Sequence, residues 1–521
     1  MGVFCEVSQV DIDAFWEKGC RMEQLFLGID LGTSAMKLVL MDGRKNVLTQ
    51  ITENYQTAQP DQGWSEIDPQ VWFDCMRAAM EKALSGCDRK RLRGIGITGQ
   101  MHTLVALDGA GQPVRPAIMW NDIRTKELIP KLKKRMETFD EGEYLSKTIS
   151  TGSPAANLYW MKEHEPESFK RIRKFLIGPD YLVYRLTGVY GTDYCEASTS
   201  CLYQIHKRQW SREMKELLGL SWEVYPPVRG SVQAAGTLTP EMARLFSLEE
   251  DVKVLTGTGD NPATAISTGC LGRGYPVISL GTSGVLMMPV AKPEEQAKGK
   301  MILFSFDGVS CSYLVQGVVQ SNGNTFEWWT RNLMGAEDFS EIDKLLADGQ
   351  KRAPNSSLVF YPHLMGDKTL YGDPDIRGAF IGLSAETKRE DMLYAVVEGL
   401  CFSFRQLAEE MHLPLDRFGA VKVVGGGAKS HVWVQTLADV LRMPIEKMDG
   451  MIGPAFGIAL LAAYHEGCFA SLEQISEGNV QVERCFMPDE ACSGQCERRY
   501  QIYKRMQAGL KYITEGVMPI S

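Results

Sequence analysis

The residues that decide the fold are 25–42, which read LFLGIDLGTSAMKLVLMD. An apolar run ends at Asp30, a short turn of glycine and hydroxyl residues follows at 31–34, and a second apolar run begins at Lys37. Apolar runs of this length, separated by a polar turn, indicate two paired β-strands, and a third run at 47–51 extends the antiparallel start. Because a Walker loop leads into a helix and not into a second strand, this order of elements argues against a P-loop protein.

An amphipathic helix is predicted after these strands. Asp68 and Pro69 are a typical helix cap and first helical residue, and apolar side chains then recur at three- to four-residue spacing up to Gly86. Further strands are predicted at 93–98 and 104–107. Alternating strands and helices favour an α/β architecture, with helices flanking a mixed sheet.

The second half of the chain repeats the opening pattern. The segment 277–290, VISLGTSGVLMMPV, shares Leu-Gly-Thr-Ser with GIDLGTSAMKLVLM at 28–41, and in both copies the motif lies between two apolar runs. The repeat predicts a duplicated core, with a boundary near 269–274. Two such halves would leave a cleft between them, where small ligands are usually held.

Composition and charge exclude several classes of protein. Of the 521 residues, 44% are hydrophobic and 23% are charged, which excludes a disordered or fibrous chain. The formal net charge of -9 argues against binding to nucleic acid or to an anionic membrane. The 13 cysteines are scattered and form no C-x-x-C pair, as is typical of thiols in a reducing compartment. With no secretory signal and no bilayer-spanning apolar stretch in the sequence, a cytoplasmic location is predicted.

Three glycine-containing segments are candidates for nucleotide binding. The turns at 32–34 and 281–283 can direct backbone N–H groups and hydroxyls at phosphate oxygens, although such a turn also forms where glycine serves only the backbone angles. The cluster 425–427 follows an apolar run and precedes a helical pattern. The glycines of this cluster would let the flat ring of a ligand lie against the backbone. Alternatively, they would serve only as a tight connection from strand to helix.

Two acidic residues are candidates for chemistry. Asp30, beside the first glycine turn, is placed to hold magnesium against nucleotide phosphates, or to bond within the turn. Asp260 lies in the segment 256–263, TGTGDNPA, where its carboxylate would accept a proton from an attacking hydroxyl. Considered alone, the Gly-Asp-Asn-Pro sequence is also that of an ordinary loop.

Taken together, the motifs resemble those of one family, the FGGY carbohydrate kinases, and within it the xylulokinases. The resemblance spans residues 25–466 and is carried, in the family's order, by GIDLGTSAMK at 28–37, GWSEIDPQVWF at 63–73, GITGQMH at 96–102, RPAIMWNDIR at 115–124, GDNPA at 259–263, SLGTSGV at 279–285 and GGGAKS at 425–430. It implies a two-domain, actin/Hsp70-like ATPase fold with a ribonuclease H-like duplicated core and a cleft between the halves. The expected domains are an N-terminal extension at 1–24, a sugar- and phosphate-binding domain at 25–269 and a nucleotide-binding domain at 270–521.

The resemblance also implies an activity: ATP-dependent phosphorylation of a terminal hydroxyl of a ketopentose, D-xylulose above all, with Mg²⁺. Its expected partners are the sugar and ATP, without nucleic acid or membrane, and a homodimer is compatible with it. The site residues that it implies are Asp260 as catalytic base; Met101, His102, Asp260 and Asn261 for the sugar; Gly32, Thr33, Ser34, Lys37, Gly281, Thr282, Gly426, Gly427 and Ala428 for the nucleotide; and Asp30 for the metal.

Three departures from the xylulokinase pattern leave alternatives open. Thr103 and Ile123 replace smaller residues, and the loop 361–374 has a different sequence. These changes put the identity of the sugar in doubt more than the type of reaction. The alternatives are a kinase for another ketose, a polyol or a sugar acid, a non-catalytic sugar- or nucleotide-binding regulator, and an ATP-driven clamp of the Hsp70 kind. The tail after Tyr464 is predicted to be short and helical, so the substrate domain that a clamp would need is not expected.

Overall fold

The computed structural model describes residues 21–271, 274–290, 298–307, 312–336, 338–367, 369–373 and 375–514. The chain divides into two compact units. The first consists of the residues up to Leu271 with Met301–Tyr313 and Met451–Asn479, and the second of Gly272–Lys300, Leu314–Gly450 and Val480–Ser521. The domain limits 25–269 and 270–521 stay predictions. The proposed N-terminal extension lies outside the described residues except for 21–24.

The β-strands of the described residues are, in chain order, β1 Leu25–Leu31, β2 Ala35–Asp42, β3 Val47–Asn54, β4 Glu66–Ile67, β5 Leu92–Gly99, β6 Leu104–Leu107, β7 Ala117–Ile118, β8 Lys174–Ile177, β9 Thr192–Asp193, β10 Tyr203–Gln204, β11 Gln209–Trp210, β12 Val228–Arg229, β13 Ala234–Thr237, β14 Lys253–Leu255, β15 Thr258–Gly259, β16 Val277–Leu280, β17 Gly284–Val290, β18 Lys300–Phe304, β19 Ser312–Val319, β20 Val359–Tyr361, β21 Ala379–Ile381, β22 Val421–Val424, β23 Ile445–Gly450 and β24 Val480–Phe486.

The α-helices of the same residues span Pro69–Ala83, Ile129–Met136, Gly142–Thr148, Pro154–His164, Pro166–Arg171, Gly178–Thr187, Tyr194–Thr199, Arg212–Leu218, Pro240–Phe246, Asp260–Thr268, Gly323–Glu327, Phe339–Arg352, Arg389–Glu410, His431–Leu441, Pro454–His465, Leu472–Ser476 and Glu490–Thr514. Among these helices, none combines the length and the apolar character that a membrane span requires.

The central sheet of the first unit has the strand order β13-β14-β5-β1-β2-β3. Its antiparallel neighbours β1, β2 and β3 confirm the predicted strand, turn and strand at the start of the chain. β1 and β14 both run parallel to β5, and the short β15 pairs in parallel with the end of β5. As a consequence, the carboxyl ends of β1, β5 and β15 meet at one edge of the sheet.

Among the helices that pack on this sheet are Pro69–Ala83 and Pro454–His465. The predicted helix at 69–83 begins as expected, because the Asp68 carboxylate accepts the backbone N–H of Gln70 at 2.9 Å, and its apolar face is buried against β2 and β3. The helix Pro454–His465 lies against β1 and β5. It approaches the strands so closely that a Cβ atom at Gly28 would lie 1.9 Å from the carbonyl oxygen of Ala455.

This close approach makes a prediction about stability. Gly28→Ala places a methyl group against the backbone of a packed helix, which cannot rotate away as a side-chain end would. We expect a loss of about 1–3 kcal/mol in the free energy of unfolding, measured as a lower midpoint in urea. Gly109→Ala is the matched control, since its new methyl group would meet only Arg173 Cγ at 3.7 Å. An equal midpoint for both variants would contradict the packing.

The sheet of the second unit repeats the topology of the first. Its strands include the order β19-β17-β16-β22-β23-β24. β16 is antiparallel to β17 and parallel to β22, as β1 is to β2 and to β5. The turn at 281–283 therefore has the same topological position as the turn at 32–34. The duplicated α/β core predicted from the sequence repeat is confirmed.

Candidate active site

The predicted sugar and metal residues meet at the sheet edge where β1, β5 and β15 end. Asp30 on β1 lies beside Thr98 on β5, and Thr98 lies beside Thr258 on β15. Met101 follows the end of β5, and Asp260 follows the end of β15 directly. The carboxyl ends of parallel strands are where α/β proteins hold their ligands, so the topology alone gathers these residues at one site.

Asp30 is a buried carboxyl, with 6% of its surface exposed. Burial and the neighbouring charge of Asp260 raise its pKa to about 7, while Lys37, its partner across the β1–β2 pair, acts in the opposite direction. Two acidic groups therefore lie close together at this edge. An ionised pair of this kind is stabilised by a cation, which makes the position suitable for a metal ion.

Asp260 is the first residue of the helix Asp260–Thr268. The interpretation of Gly-Asp-Asn-Pro as an ordinary loop is therefore wrong. The backbone N–H of Asn261 donates to Asp260 Oδ1 at 2.7 Å, and burial raises the pKa of the carboxyl to about 6. A carboxyl whose pKa lies near neutrality, at the amino end of a helix, is suited to act as a general base.

The turn at 32–34 is held from two sides. The Tyr55 phenol donates to the carbonyl oxygen of Gly32, and the Tyr55 N–H donates to the carbonyl oxygen of Ser34 at 3.0 Å. On the other side, the Trp120 indole N–H donates to Thr33 Oγ1, also at 3.0 Å. Because Thr33 accepts this bond, its own hydroxyl proton is left to donate to a phosphate oxygen.

The Met101–His102 pair follows β5 in a strained turn. His102 has φ 74°, in the left-handed region that side chains other than glycine rarely adopt. Met101 is buried and packs at the backbone of Gly259, where a Cβ atom would lie 2.5 Å from Met101 Cγ. The pair thus lies directly beside the segment that carries Asp260, and half-buried Asn261 follows the base.

The two substitutions noted in the sequence differ in their relation to this turn. Thr103 is fully buried, and its Oγ1 accepts the backbone N–H of Trp120 at 3.2 Å, so it supports the tryptophan. Ile123 is 39% exposed, and its N–H donates to the carbonyl oxygen of Gly63 at 3.0 Å. Of the two substitutions, Thr103 is thus the one that is hydrogen-bonded to a residue of the site, Trp120.

In the second unit, the predicted nucleotide residues also lie at one sheet edge. The carbonyl oxygen of Gly281 accepts the Asn322 side-chain amide at 2.9 Å, and the Thr282 carbonyl accepts the Asn324 N–H at 3.1 Å. Gly425, at φ 97°, packs on the backbone of Leu280, where a Cβ atom would be only 2.8 Å away. The cluster 425–427 therefore lies beside the turn at 281–283 at this edge. Gly426 and Gly427 are partly open there, and the neighbouring Ala428 is buried.

Three residues that the sequence reasoning did not single out support this arrangement: Trp120, Asn322 and Glu196. Trp120 lies inside the motif at 115–124, which was a usable signal. Asn322 and Glu196 lie outside every quoted motif, and only the fold brings each of them to the candidate residues of its own unit.

Mg²⁺ fits the donor set at Asp30 chemically. Within the described part of the chain, no group of three or more His, Cys, Asp or Glu side chains is arranged to hold a metal ion. Mg²⁺ is usually held by one or two carboxylates, with water and substrate phosphates completing its shell. The buried carboxyl of Asp30 supplies one such carboxylate, and Asp260 is left free to act as the base.

Comparisons with known proteins assign the family. The N-terminal domain of the FGGY family of carbohydrate kinases matches residues 25–267, and its C-terminal domain matches residues 277–466. A xylulose kinase from Lactococcus lactis subsp. lactis is 34% identical over 505 residues, covering 94% of this chain and 98% of its own. For a xylulose kinase from Bacillus subtilis (strain 168) the identity is 33% over 493 residues, covering 93% and 97%.

A solved structure agrees with these relatives. The crystal structure of a xyloylose kinase from Brucella ovis is 31% identical in sequence, superposes with a TM-score of 0.85, and covers 94% of this chain and 100% of its own. Both family domains are matched in order, and the relatives match over nearly their whole length. The chain therefore belongs to the FGGY family of carbohydrate kinases and is an ATP-dependent sugar kinase.

Proposed function

We propose that the substrate is a ketopentose, D-xylulose, phosphorylated at a terminal hydroxyl by ATP. The observation that carries the chemistry is the Asp260 carboxyl, whose pKa of about 6 suits a base, beside the Met101–His102 turn. Support for the sugar comes from the relatives named xylulose kinase, which match over nearly their whole length. A kinase for another ketose, a polyol or a sugar acid is the alternative, because one fold serves many such substrates.

In the proposed mechanism, Asp260 accepts the proton of the attacking hydroxyl. Met101, His102 and Asn261 hold the sugar so that this hydroxyl lies within reach of the carboxylate. The helix that begins at Asp260 stabilises the ionised base through its amino-terminal dipole. Phosphoryl transfer depends on positioning and charge stabilisation more than on covalent catalysis, so one base and an ordered sugar suffice on this side of the reaction.

On the phosphate side, the turn at 32–34 donates hydrogen bonds to the phosphates, among them one from the Thr33 hydroxyl, which the Trp120 indole orients. In the second unit, Gly281 and Thr282 serve in the same way, and Gly426, Gly427 and Ala428 lie against the nucleotide. Asp30 would hold Mg²⁺. When bound, this ion neutralises phosphate charge that develops during transfer.

A substrate panel tests the proposal. Initial rates of ADP formation are measured with D-xylulose, a ketohexose, a polyol and an aldonate, each against the rate with ATP alone. We expect D-xylulose to give the highest kcat/KM, and the product to carry phosphate on its terminal carbon by NMR. A higher kcat/KM for another compound would overturn the choice of sugar and leave the kinase activity in place. Turnover with none of them would argue against the proposed site.

The pH dependence of the reaction follows from the raised pKa of Asp260. The base must be ionised, so activity is present above its pKa and is lost as the pH falls through that value. Since burial raises the pKa to about 6, kcat/KM for the sugar is expected to fall tenfold for each pH unit below about 6. It is measured between pH 5 and 8 at saturating ATP and Mg²⁺, which would keep the carboxyl of Asp30 ionised, and for Asp260→Asn it should be flat. A value that stays level down to pH 5 in the unmodified protein would contradict the raised pKa of Asp260.

A further inference from the structure

Glu196 has a buried carboxyl near the Met101–His102 turn. The mechanism above gives this carboxyl no role. Only 1% of its surface is exposed, and it lies on the short helix Tyr194–Thr199. This helix is fixed in place by Asp193, whose Oδ1 accepts the Glu196 N–H at 2.8 Å and whose Oδ2 accepts the Ser231 hydroxyl at 2.7 Å. The backbone that carries Glu196 is therefore rigidly held.

The Glu196 side chain faces both segments that form the sugar site. A Cβ atom at Gly259 would lie 2.9 Å from Glu196 Oε1 and 2.5 Å from Met101 Cγ. The backbone N–H of His102 is close enough to lower the pKa of the Glu196 carboxyl. The Glu196 carboxyl thus lies beside the residue before the base and near the N–H of His102 in the strained turn, without a normal hydrogen bond to it.

Neither oxygen of Glu196 makes a hydrogen bond of normal geometry within the described part of the chain. Burial, and then the charges of Asp193, Asp180 and Asp260, raise the pKa of the carboxyl well above its usual value. A buried polar group that is poorly paired in this way lowers stability, so its position calls for a functional reason.

We propose that Glu196 is a positioning residue that fixes the Met101–His102 turn against the Gly259–Asp260 segment. It acts through these two segments and does not itself touch the reacting atoms. Without it, the left-handed backbone at His102 loses the nearby carboxyl, and the space beside Gly259 that Glu196 shares with Met101 is opened. The expected consequence for sugar binding rests on the proposed function, whereas the expected consequence for the backbone does not.

The test compares Glu196→Ala and Glu196→Gln with a control, Thr199→Val, on the same helix. Thr199 is equally buried, and its hydroxyl donates only within the helix, to the carbonyl oxygens of Cys195 and Glu196. The control therefore reproduces a disturbance of the helix without touching the two segments. Glutamine keeps the size of the glutamate side chain and one acceptor oxygen, so it should restore most of what alanine loses.

The first measurement is amide hydrogen exchange of the full chain without substrates. Glu196→Ala is expected to accelerate exchange at 101–103 and 259–261, while Thr199→Val leaves it unchanged. This readout requires no turnover, so it decides the proposal even if the proposed substrate is wrong. Equal exchange in Glu196→Ala and the unmodified chain, or the same acceleration in the control, would overturn it.

The second measurement is the kinetics with the sugar that gives turnover. Glu196→Ala should raise the sugar KM by about 10- to 100-fold, the usual effect of misplacing a bound substrate, with the ATP KM unchanged. Adding His102→Ala to this variant should cost much less than it does in the unmodified chain, because the turn is already displaced. Additive effects of the two changes, or an equal rise in the ATP KM, would contradict a positioning role.

Discussion

Replacing Asp260 with asparagine is expected to lower the rate of sugar phosphorylation by about two to four orders of magnitude, the usual contribution of general base catalysis. Asparagine keeps the shape of the side chain and its place at the start of the helix Asp260–Thr268, but it cannot accept the proton. Both substrates should therefore still bind. Initial rates at saturating ATP and sugar give the loss, and titration calorimetry gives the two affinities.

A matched control for this variant is Asp251→Asn. Asp251 is an exposed carboxylate of the same unit, paired with Arg93 at 2.9 Å, and its loss removes the same charge without reaching the site. Its rate should equal that of the unmodified chain. If Asp260→Asn retained a rate within a few-fold of the control, Asp260 would not be the base.

Asp30→Asn should show a loss of a different kind. Without this carboxylate, Mg²⁺ and the phosphates are held less firmly, so we expect a fall of about 100-fold in rate at low magnesium. The defect should shrink as magnesium is raised, because mass action refills a weakened site. A missing base cannot be replaced in this way, so Asp260→Asn should stay equally slow across the series.

The magnesium series also contains the result that would reverse the two roles. Recovery of Asp260→Asn with magnesium would place that carboxylate at the metal. A loss of rate in Asp30→Asn that is the same at every magnesium concentration would show that Asp30 does not hold the metal ion. Lys37, which lies across from Asp30 in the β1–β2 pair, offers a further comparison, since Lys37→Met should raise the pKa of Asp30 while sparing its carboxylate.

Much of the fold could be predicted from local sequence patterns. The strands around the turn at 32–34, the helix that Asp68 caps and the repeat at 277–290 all depend on the order of apolar and polar residues over short distances. These patterns determine local structure directly, because each strand or helix must bury one side. The family resemblance added the expected residues for sugar, base and metal.

Contacts between distant parts of the chain could not be predicted in this way. Two examples are the hydrogen bond from Trp120 to Thr33 and the approach of Glu196 to Gly259. Both depend on which helices and strands pack together, and a local sequence pattern does not predict that packing. The helix at Asp260 escaped the sequence interpretation for another reason. The Gly-Asp-Asn-Pro sequence is also that of an ordinary loop, but a proline such as Pro262 is tolerated in the first turn of a helix, where backbone N–H groups have no partner within the helix.

The role of Asp260 as general base is tested by a single-turnover experiment with D-xylulose, labelled ATP and saturating Mg²⁺, quenched on the millisecond scale, between pH 5 and 8. For the unmodified chain, the rate of phosphoryl transfer should rise with pH and level off above about pH 6, where Asp260 is ionised. For Asp260→Asn, the rate should be at least about 100-fold lower and independent of pH. An Asp260→Asn variant that transfers phosphate at the rate and with the pH profile of the unmodified chain would show that Asp260 is not the general base.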